Sequence, residues 1–431
     1  MNKFYFILFF FIISNCSFNA NSKLWKNEKI EKIILKQIDI FPKKEVFKKE
    51  LNPNLKITIK SKSNRKKSTN YLDNNYGLID YEGNLENSSK FRFAKIKSFE
   101  NLDPDISFHK NGLIFFDNKG TILKFNNNTS LVWKKNPYNK IEKKLNPRIF
   151  FSNNSKFLIV TDNISKYYSM DLNNGELLWM KTNNSPFNSQ VKIYKDKFFT
   201  VDDDNILSCF SISNGEVIWQ VHTENNFVKS NKKLSIVIVK DKAIFLNSVG
   251  DLASVSIKTG QLNWLTPTQS SYIVEDAFFL KVSDIVADDK SIFLSNNKNE
   301  FFSFNADNGL LNWKANVNSS LRPIIIDDMI FTITNEGYFV VMEKKSGKLI
   351  RLTDVLDKFK PKKRKKIKTI GFIASSNNIY LTLSNGRLIV IKVIDGKTHK
   401  IFKIGNKAIS RPFISNNNMF IIKESSIVKL N

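Results

Sequence analysis

The sequence predicts an all-β protein, an eight-bladed β-propeller of four-stranded antiparallel blades behind an N-terminal signal and a tether. Three observations lead there. A turn residue, a glycine and a tryptophan four positions further on recur in Asn174-Gly175 to Trp179, Asn214-Gly215 to Trp219, Thr259-Gly260 to Trp264 and Asn308-Gly309 to Trp313. Thr129 takes the glycine's place ahead of Trp133, whereas Gly347 and Gly396 lead to Arg351 and Lys400. The seven glycine positions are separated by 46, 40, 45, 49, 38 and 49 residues, and self-similarity at such a period marks a propeller or a solenoid. Second, Asp196, Asp241, Asp289, Asp328 and Asn377 each precede an apolar run 19 or 20 residues before the next glycine. Third, the chain ends on an incomplete unit, residues 412–414, 419–423 and 427–430.

The chemistry of the repeat favours strands over helices. Asn-Gly between apolar runs is a strong hairpin signal, because glycine accepts the positive φ of a tight turn. The upstream Asp or Asn leaves room for a strand before it, two strands after it and a fourth that carries the tryptophan. Four such strands repeated radially make a propeller. Trp133, Trp179, Trp219, Trp264 and Trp313 are expected as large apolar plates between neighbouring blades. A ring must close, since an open one leaves an unpaired edge. The terminal unit supplies three strands, so residues 76–97, and 91–95 in particular, are expected to complete it.

The chain begins with Lys3 and an apolar run over residues 4–13, too short to span a bilayer of about 30 Å. Residues 1–15 therefore predict an export signal of lipoprotein type. Ile13-Ser14-Asn15-Cys16 resembles a bacterial lipobox, with Cys16 as the lipidated first residue of the mature chain; an ordinary cleaved signal is the alternative. Residues 16–70 are rich in Lys, Asn, Glu and Ser and read as a tether, and residues 71–431 as the propeller. Cys209, the other of the two cysteines, falls in an alternating strand and is expected as a small buried hydrophobe.

A net charge of +27 could suggest nucleic acid. The excess is almost all lysine, accompanied by abundant asparagine, isoleucine and phenylalanine, the usage of an AT-biased coding sequence. No nucleic-acid-binding motif is present, and nucleic acid is not an expected partner. One cluster stands apart. Residues 358–368 hold eight cations in eleven positions and predict a protruding inter-blade loop, either solvated or in contact with anionic lipid.

Nothing in the sequence asks for a catalyst or a cofactor. His109, His222 and His399 lie in different units without metal-ligand spacing, and Asp202-Asp203-Asp204-Asn205 sits where a hairpin turn is due. The repeat resembles that of the pyrroloquinoline-quinone dehydrogenases, eight-bladed propellers whose active sites add an adjacent cysteine pair, a calcium site and a catalytic aspartate. This sequence has no Cys-Cys. Repeat, lipobox and length together are similar to the BamB family of outer-membrane β-barrel assembly lipoproteins. That resemblance implies a non-catalytic scaffold, lipid-anchored at the periplasmic face of the outer membrane and bound to the periplasmic domains of a BamA-like insertase. A quinone-dependent oxidoreductase and a carbohydrate- or envelope-binding propeller without an assembly role are the alternatives. Ser17 after the cysteine fits outer-membrane sorting. A family Ser-Asp-Val-Asp run is matched by Ser283-Asp284-Ile285, with Val286 at the second aspartate. A Leu-x-Leu-Arg loop is echoed by Phe227-Val228-Lys229. These five residues are the expected partner contacts.

Overall fold

The computed structural model describes residues 47, 49–59 and 81–431, apart from 82, 87, 98, 100, 101, 111, 225–231 and 270–279. The export signal, Cys16, most of the tether and the loop with Phe227, Val228 and Lys229 lie outside the described residues.

Eight four-stranded antiparallel sheets succeed one another along the described chain, as the repeat predicts. Blade 1 is β2 (Ser107–His109), β3 (Gly112–Phe116), β4 (Ile122–Asn126) and β5 (Leu131–Lys135). Blade 3 shows the repeat in full: β10 (Lys192–Tyr194), the Asp196 turn, β11 (Lys197–Val201), β12 (Ile206–Ser211), the Gly215 turn and β13 (Val217–His222). The acidic run after β11 is a hairpin turn, in which the Asp202 carboxylate accepts from the backbone N–H of Asp204 and Ile206, each at 3.0 Å. Blade 8 closes the ring. Its β30 (Pro412–Ser415), β31 (Asn418–Lys423) and β32 (Ser426–Leu430) are joined by β1 (Ser88–Arg92), with Phe91 opposite Ile427. Beyond β1 the pairing continues through the Phe93 N–H to Ser425 and the Ile96 N–H to Glu424.

The two middle strands of each blade are buried on both faces, because neighbouring blades cover them. The small polar residues that gave the sequence its alternation are therefore interior too, Ser169 and Ser254 being fully covered. Apolar clusters run from blade to blade and not within one blade. One joins Phe199 and Cys209 of blade 3 to Ile236 and Phe245 of blade 4, and another joins blades 8, 1 and 2. Burial pushes the Cys209 thiol up to about 12, which leaves it an inert part of this packing.

Trp133, Trp179, Trp219, Trp264 and Trp313 each sit behind a β-bulge. Cys209 faces Trp219 but Phe210 faces Val217, so Ile218 is the extra residue, and six other blades shift at the equivalent point. The bulge turns the indole toward the next blade, and in blades 2 to 5 a small residue opposite (Ser169, Cys209, Ser254 or Ser303) leaves room for it. There the ring lies against the next blade's turn glycine. A Cβ on Gly215 would come within 2.5 Å of Trp179, and one on Gly260 within 2.7 Å of Trp219. With φ near +70° at these glycines, both backbone and space demand the missing side chain. The indole N–H donates to the carbonyl three residues before that glycine: Trp179 to Ile212 at 3.0 Å, Trp219 to Ile257 at 3.1 Å and Trp313 to Lys344 at 3.0 Å.

Residues 49–59, within the stretch expected as a tether, lie along the outer strand of blade 6, β25 (Leu349–Asp354). Leu51 and Leu352 exchange backbone hydrogen bonds at 3.0 and 2.9 Å, and the Ile57 N–H donates to Ile394 of blade 7 at 2.9 Å. Ile57 is buried, and Phe47 packs with the cluster around Leu352.

Candidate functional site

The chain enters and leaves every blade on one face, here the loop face; the glycine turns occupy the other. Ser283 and Asp284 lie on the loop face, two to three residues ahead of β18 (Val286–Ala287), the inner strand of blade 5. Both are interior, at 2% and 5% exposure.

The serine does a job that recurs around the ring. Its hydroxyl donates to the Asp284 carbonyl at 3.1 Å and accepts from the Ser295 N–H at 2.9 Å, pinning the start of the inner strand to its neighbour. Ser189 does the same toward Val201, and Ser410 toward Ile422. The Ser-Asp pair is thus half scaffold, and only the residue after the serine is free to vary: Gln190, Asp284 or Arg411.

The variable residues meet around the mouth of the central channel. Arg322, ahead of blade 6, holds Asp284 through two nitrogens, Nε at 2.9 Å and Nη2 closer. Lys232 approaches the other carboxylate oxygen at 3.7 Å. Asp105, ahead of blade 1, is ion-paired with Arg411 of blade 8 and with Lys233 of blade 4. Lys233 also donates to the Asp103 carbonyl at 3.0 Å. Blades 1 and 4 are not neighbours, so this pair spans the mouth of the channel. Burial pushes the Asp105 carboxyl up, but Lys233 and Arg411 outweigh it and hold it well below the usual carboxylate range. Asp284 is held low in the same way by Arg322 and Lys232. The structure thus assigns Asp284 a structural partner that the sequence did not indicate. Asp105, Lys233, Arg322 and Arg411 escaped the sequence reading, because each is an ordinary charge in a loop. Their common signal is positional: all four stand one to three residues ahead of an inner strand.

His109 and Cys209 are buried in separate blades, and among the described residues no three His, Cys, Asp or Glu side chains converge as a metal site would need. Nor do the residues at the channel mouth fit a quinone cofactor with its calcium: the carboxylates there are already committed to arginine and lysine, and the sequence lacks adjacent cysteines.

The family model described as outer membrane protein assembly factor BamB matches residues 118–352, more than half of the chain. The chain belongs to the BamB family. Among solved structures, BamB from Moraxella catarrhalis superposes with a TM-score of 0.62 at 13% identity, covering 80% of this chain and 100% of that one. The quinohemoprotein alcohol dehydrogenase from Comamonas testosteroni gives 0.58 at 8% identity, over 84% of this chain and 79% of that one. The C-terminal WD40 domain of Sif2 also gives 0.58, at 10% identity, covering 82% of this chain and 99% of that one. At these identities the superpositions show the propeller fold alone. A search among curated proteins finds no match. Membership of the BamB family therefore rests on the sequence match, and the eight-bladed ring agrees with it.

Proposed function

We propose that this protein is a non-catalytic scaffold of outer-membrane protein assembly, binding the periplasmic part of the β-barrel insertase. The observation that carries the reading is the BamB family match over residues 118–352. The protein is exported and held at the periplasmic face of the outer membrane by lipid on Cys16. The partner meets the loop face where the chain enters blades 4 and 5, around Phe227, Val228 and Lys229 and around Ser283 and Asp284. Asp284 is covered, so its part in that contact is to fix Arg322 and Lys232 at the mouth. Rigid scaffolds commonly present binding groups on such loops.

The test is a pull-down from detergent-solubilised envelopes with the tagged full-length protein. Recovery of the insertase is expected. Its reproducible absence from a well-solubilised complex would overturn the assembly role and favour an envelope binder. Phe227→Ala should weaken recovery without changing the circular dichroism spectrum. The repeat's resemblance to that of the quinone dehydrogenases is the observation for an oxidoreductase, and the superposition on a quinohemoprotein adds the fold alone. Reconstitution with quinone and calcium is expected to give neither bound absorbance nor dye reduction. For the anchor, intact-mass analysis should show a mature chain that starts at Cys16 and carries acyl mass; an unmodified N-terminus elsewhere would end that part of the reading.

A further inference from the structure

The basic cluster of residues 358–368 is not a loose loop. It joins β25 of blade 6 to β26 (Thr369–Ala374) of blade 7 and contains a short helix, α2 (Pro361–Arg364); α1 (Lys140–Lys144) lies in the corresponding connection between blades 1 and 2. Ile367 is buried, and Phe359 packs against the cluster between blades 6 and 7. Arg364 is ion-paired with Asp354 at the end of β25, and its guanidinium lies 5.8 Å from the Tyr338 ring. With these three side chains turned inward, Lys358, Lys360, Lys362, Lys363, Lys365, Lys366 and Lys368 are all left exposed. No acidic residue occurs between 358 and 368. A scattered lysine excess does not produce this arrangement. It is a fixed platform for seven ammonium groups.

Its position adds a second, independent observation. The N-terminal strap runs antiparallel to β25, from Asp354 toward the glycine face. The backbone N–H of Asp354 donates to the Glu50 carboxylate at 2.9 Å, while the Asp354 carboxylate takes Arg364. One aspartate therefore ties the point where the N-terminal segment joins the propeller to the base of the polybasic platform, on the same face of the same blade.

We propose that this platform is a membrane-contact surface, which sets the loop-face corner of blades 6 and 7 against a bilayer rich in anionic phospholipid headgroups. Clustered lysines on a structured element gain affinity for such a surface additively, roughly five-fold per cation that reaches it. A fixed platform loses little conformational freedom on contact. An anchor at the N-terminus limits distance from a membrane but not orientation, and a basic patch beside the strap supplies orientation. The inference stands apart from the insertase reading, since it requires no protein partner.

The experiment compares partitioning of the full-length chain onto phosphatidylcholine vesicles with and without phosphatidylglycerol. The readout is the anionic-to-neutral ratio, which cancels whatever the N-terminal residues contribute on both. A platform variant carries Lys358→Gln, Lys362→Gln, Lys363→Gln, Lys365→Gln and Lys366→Gln, sparing Phe359, Arg364 and Ile367 so that the loop stays anchored. A control variant carries the same change at exposed Lys110, Lys119, Lys134, Lys195 and Lys258 on other blades. The platform variant should lower the ratio by about ten-fold or more, and the control by much less. Equal losses in the two variants, or none in the platform variant, would overturn the proposal. Inorganic phosphate at matched ionic strength should leave the ratio unchanged; displacement by it would reveal a discrete phosphate site in place of a surface.

Discussion

Blades 1 to 5 and blade 6 solve the same seam in two ways. At the end of blades 1 to 5 an indole plate lies on the next blade's turn glycine or its neighbours. At the end of blade 6 the tryptophan position holds Arg351, fully buried, beside Gly396. Its Nη2 donates at 2.8 Å to the Val393 carbonyl, the acceptor an indole would use, three residues before the glycine. Its Nη1 donates to Ile394 at 2.8 Å and to Leu55 of the strap at 3.0 Å. An indole has one donor and a guanidinium five. The repeat therefore departs from tryptophan where a third backbone segment must be held. The rims differ accordingly. Leu177, Leu178, Val217 and Ile218 are exposed at 44–47% on open blades, while Leu349 and Ile350 of blade 6 are half-buried under the strap.

The largest test of this contrast is Arg351→Ala, which removes a buried side chain and takes a donor from three carbonyls, of which Ile394 keeps the Ile57 N–H. A loss of roughly 4–5 kcal/mol is expected by chemical denaturation, with faster proteolysis near residue 59. Arg351→Trp separates the two jobs. It should recover much of the ring's stability, because Gly396 already suits an indole, yet leave the strap as protease-sensitive as in the alanine variant. A strap that stays protected would show that Arg351 is not what holds it. Trp219→Ala comes next, at roughly 3–4 kcal/mol for a large, partly buried aromatic, and should leave the strap untouched.

The seams were legible in the sequence, and the channel mouth was not. Glycine and tryptophan recur because a positive φ and a close ring contact constrain them together, so their pattern survives every other change. One sequence cannot separate the two roles within the Ser-Asp pair, that of Ser283, whose hydrogen bonds Ser189 and Ser410 repeat, and that of Asp284, whose partner Arg322 is 38 residues away. Ion pairs between blades leave no local periodicity. The strap was equally hidden, since Leu51, Leu55 and Ile57 stand in lysine-rich sequence and acquire meaning only against β25.

The channel ion pairs predict acid sensitivity that the seams lack. Asp105 and Asp284 titrate lower in the folded chain than in the unfolded one. The stability they contribute is therefore present above the unfolded carboxylate pKa of about 4 and is lost as pH falls below it. Asp284→Asn should cost about 2–3 kcal/mol at neutral pH, by leaving Arg322 without its counter-charge. The gap between variant and parent should narrow in melts below about pH 4. A gap that is constant with pH would show that the pair contributes no charge interaction.

Among the tryptophans, Trp264 is the odd one: among the described residues its buried indole N–H has no acceptor, unlike those of Trp179, Trp219 and Trp313. Replacement by phenylalanine keeps most of the plate and deletes that N–H. Trp219→Phe should therefore be more destabilising than Trp264→Phe by about 1 kcal/mol, the net value of one hydrogen bond. Equal losses in paired denaturation curves would mean that the plate alone seals a seam.

The smallest expected effect falls at the seam between blades 8 and 1, where the repeat relaxes its demand for glycine. Thr129 occupies the turn at φ +65°, against +75° at Gly260. The glycine elsewhere is required twice over, by the backbone and by the ring behind it. Here the second requirement is gone: opposite Lys429, at the place of the indole, blade 8 carries Ser89 on β1. The first remains, because a β-branched residue in the left-handed region is strained by roughly 1–2 kcal/mol. Glycine would relieve that strain and return part of the gain by loosening the unfolded chain. Thr129→Gly should therefore stabilise the protein by about 0.5 kcal/mol, seen as a small rise in melting temperature. A fall instead would mean that the threonine side chain makes a contact in this seam worth more than its strain, and that the eighth seam, like the sixth, has found its own substitute for tryptophan.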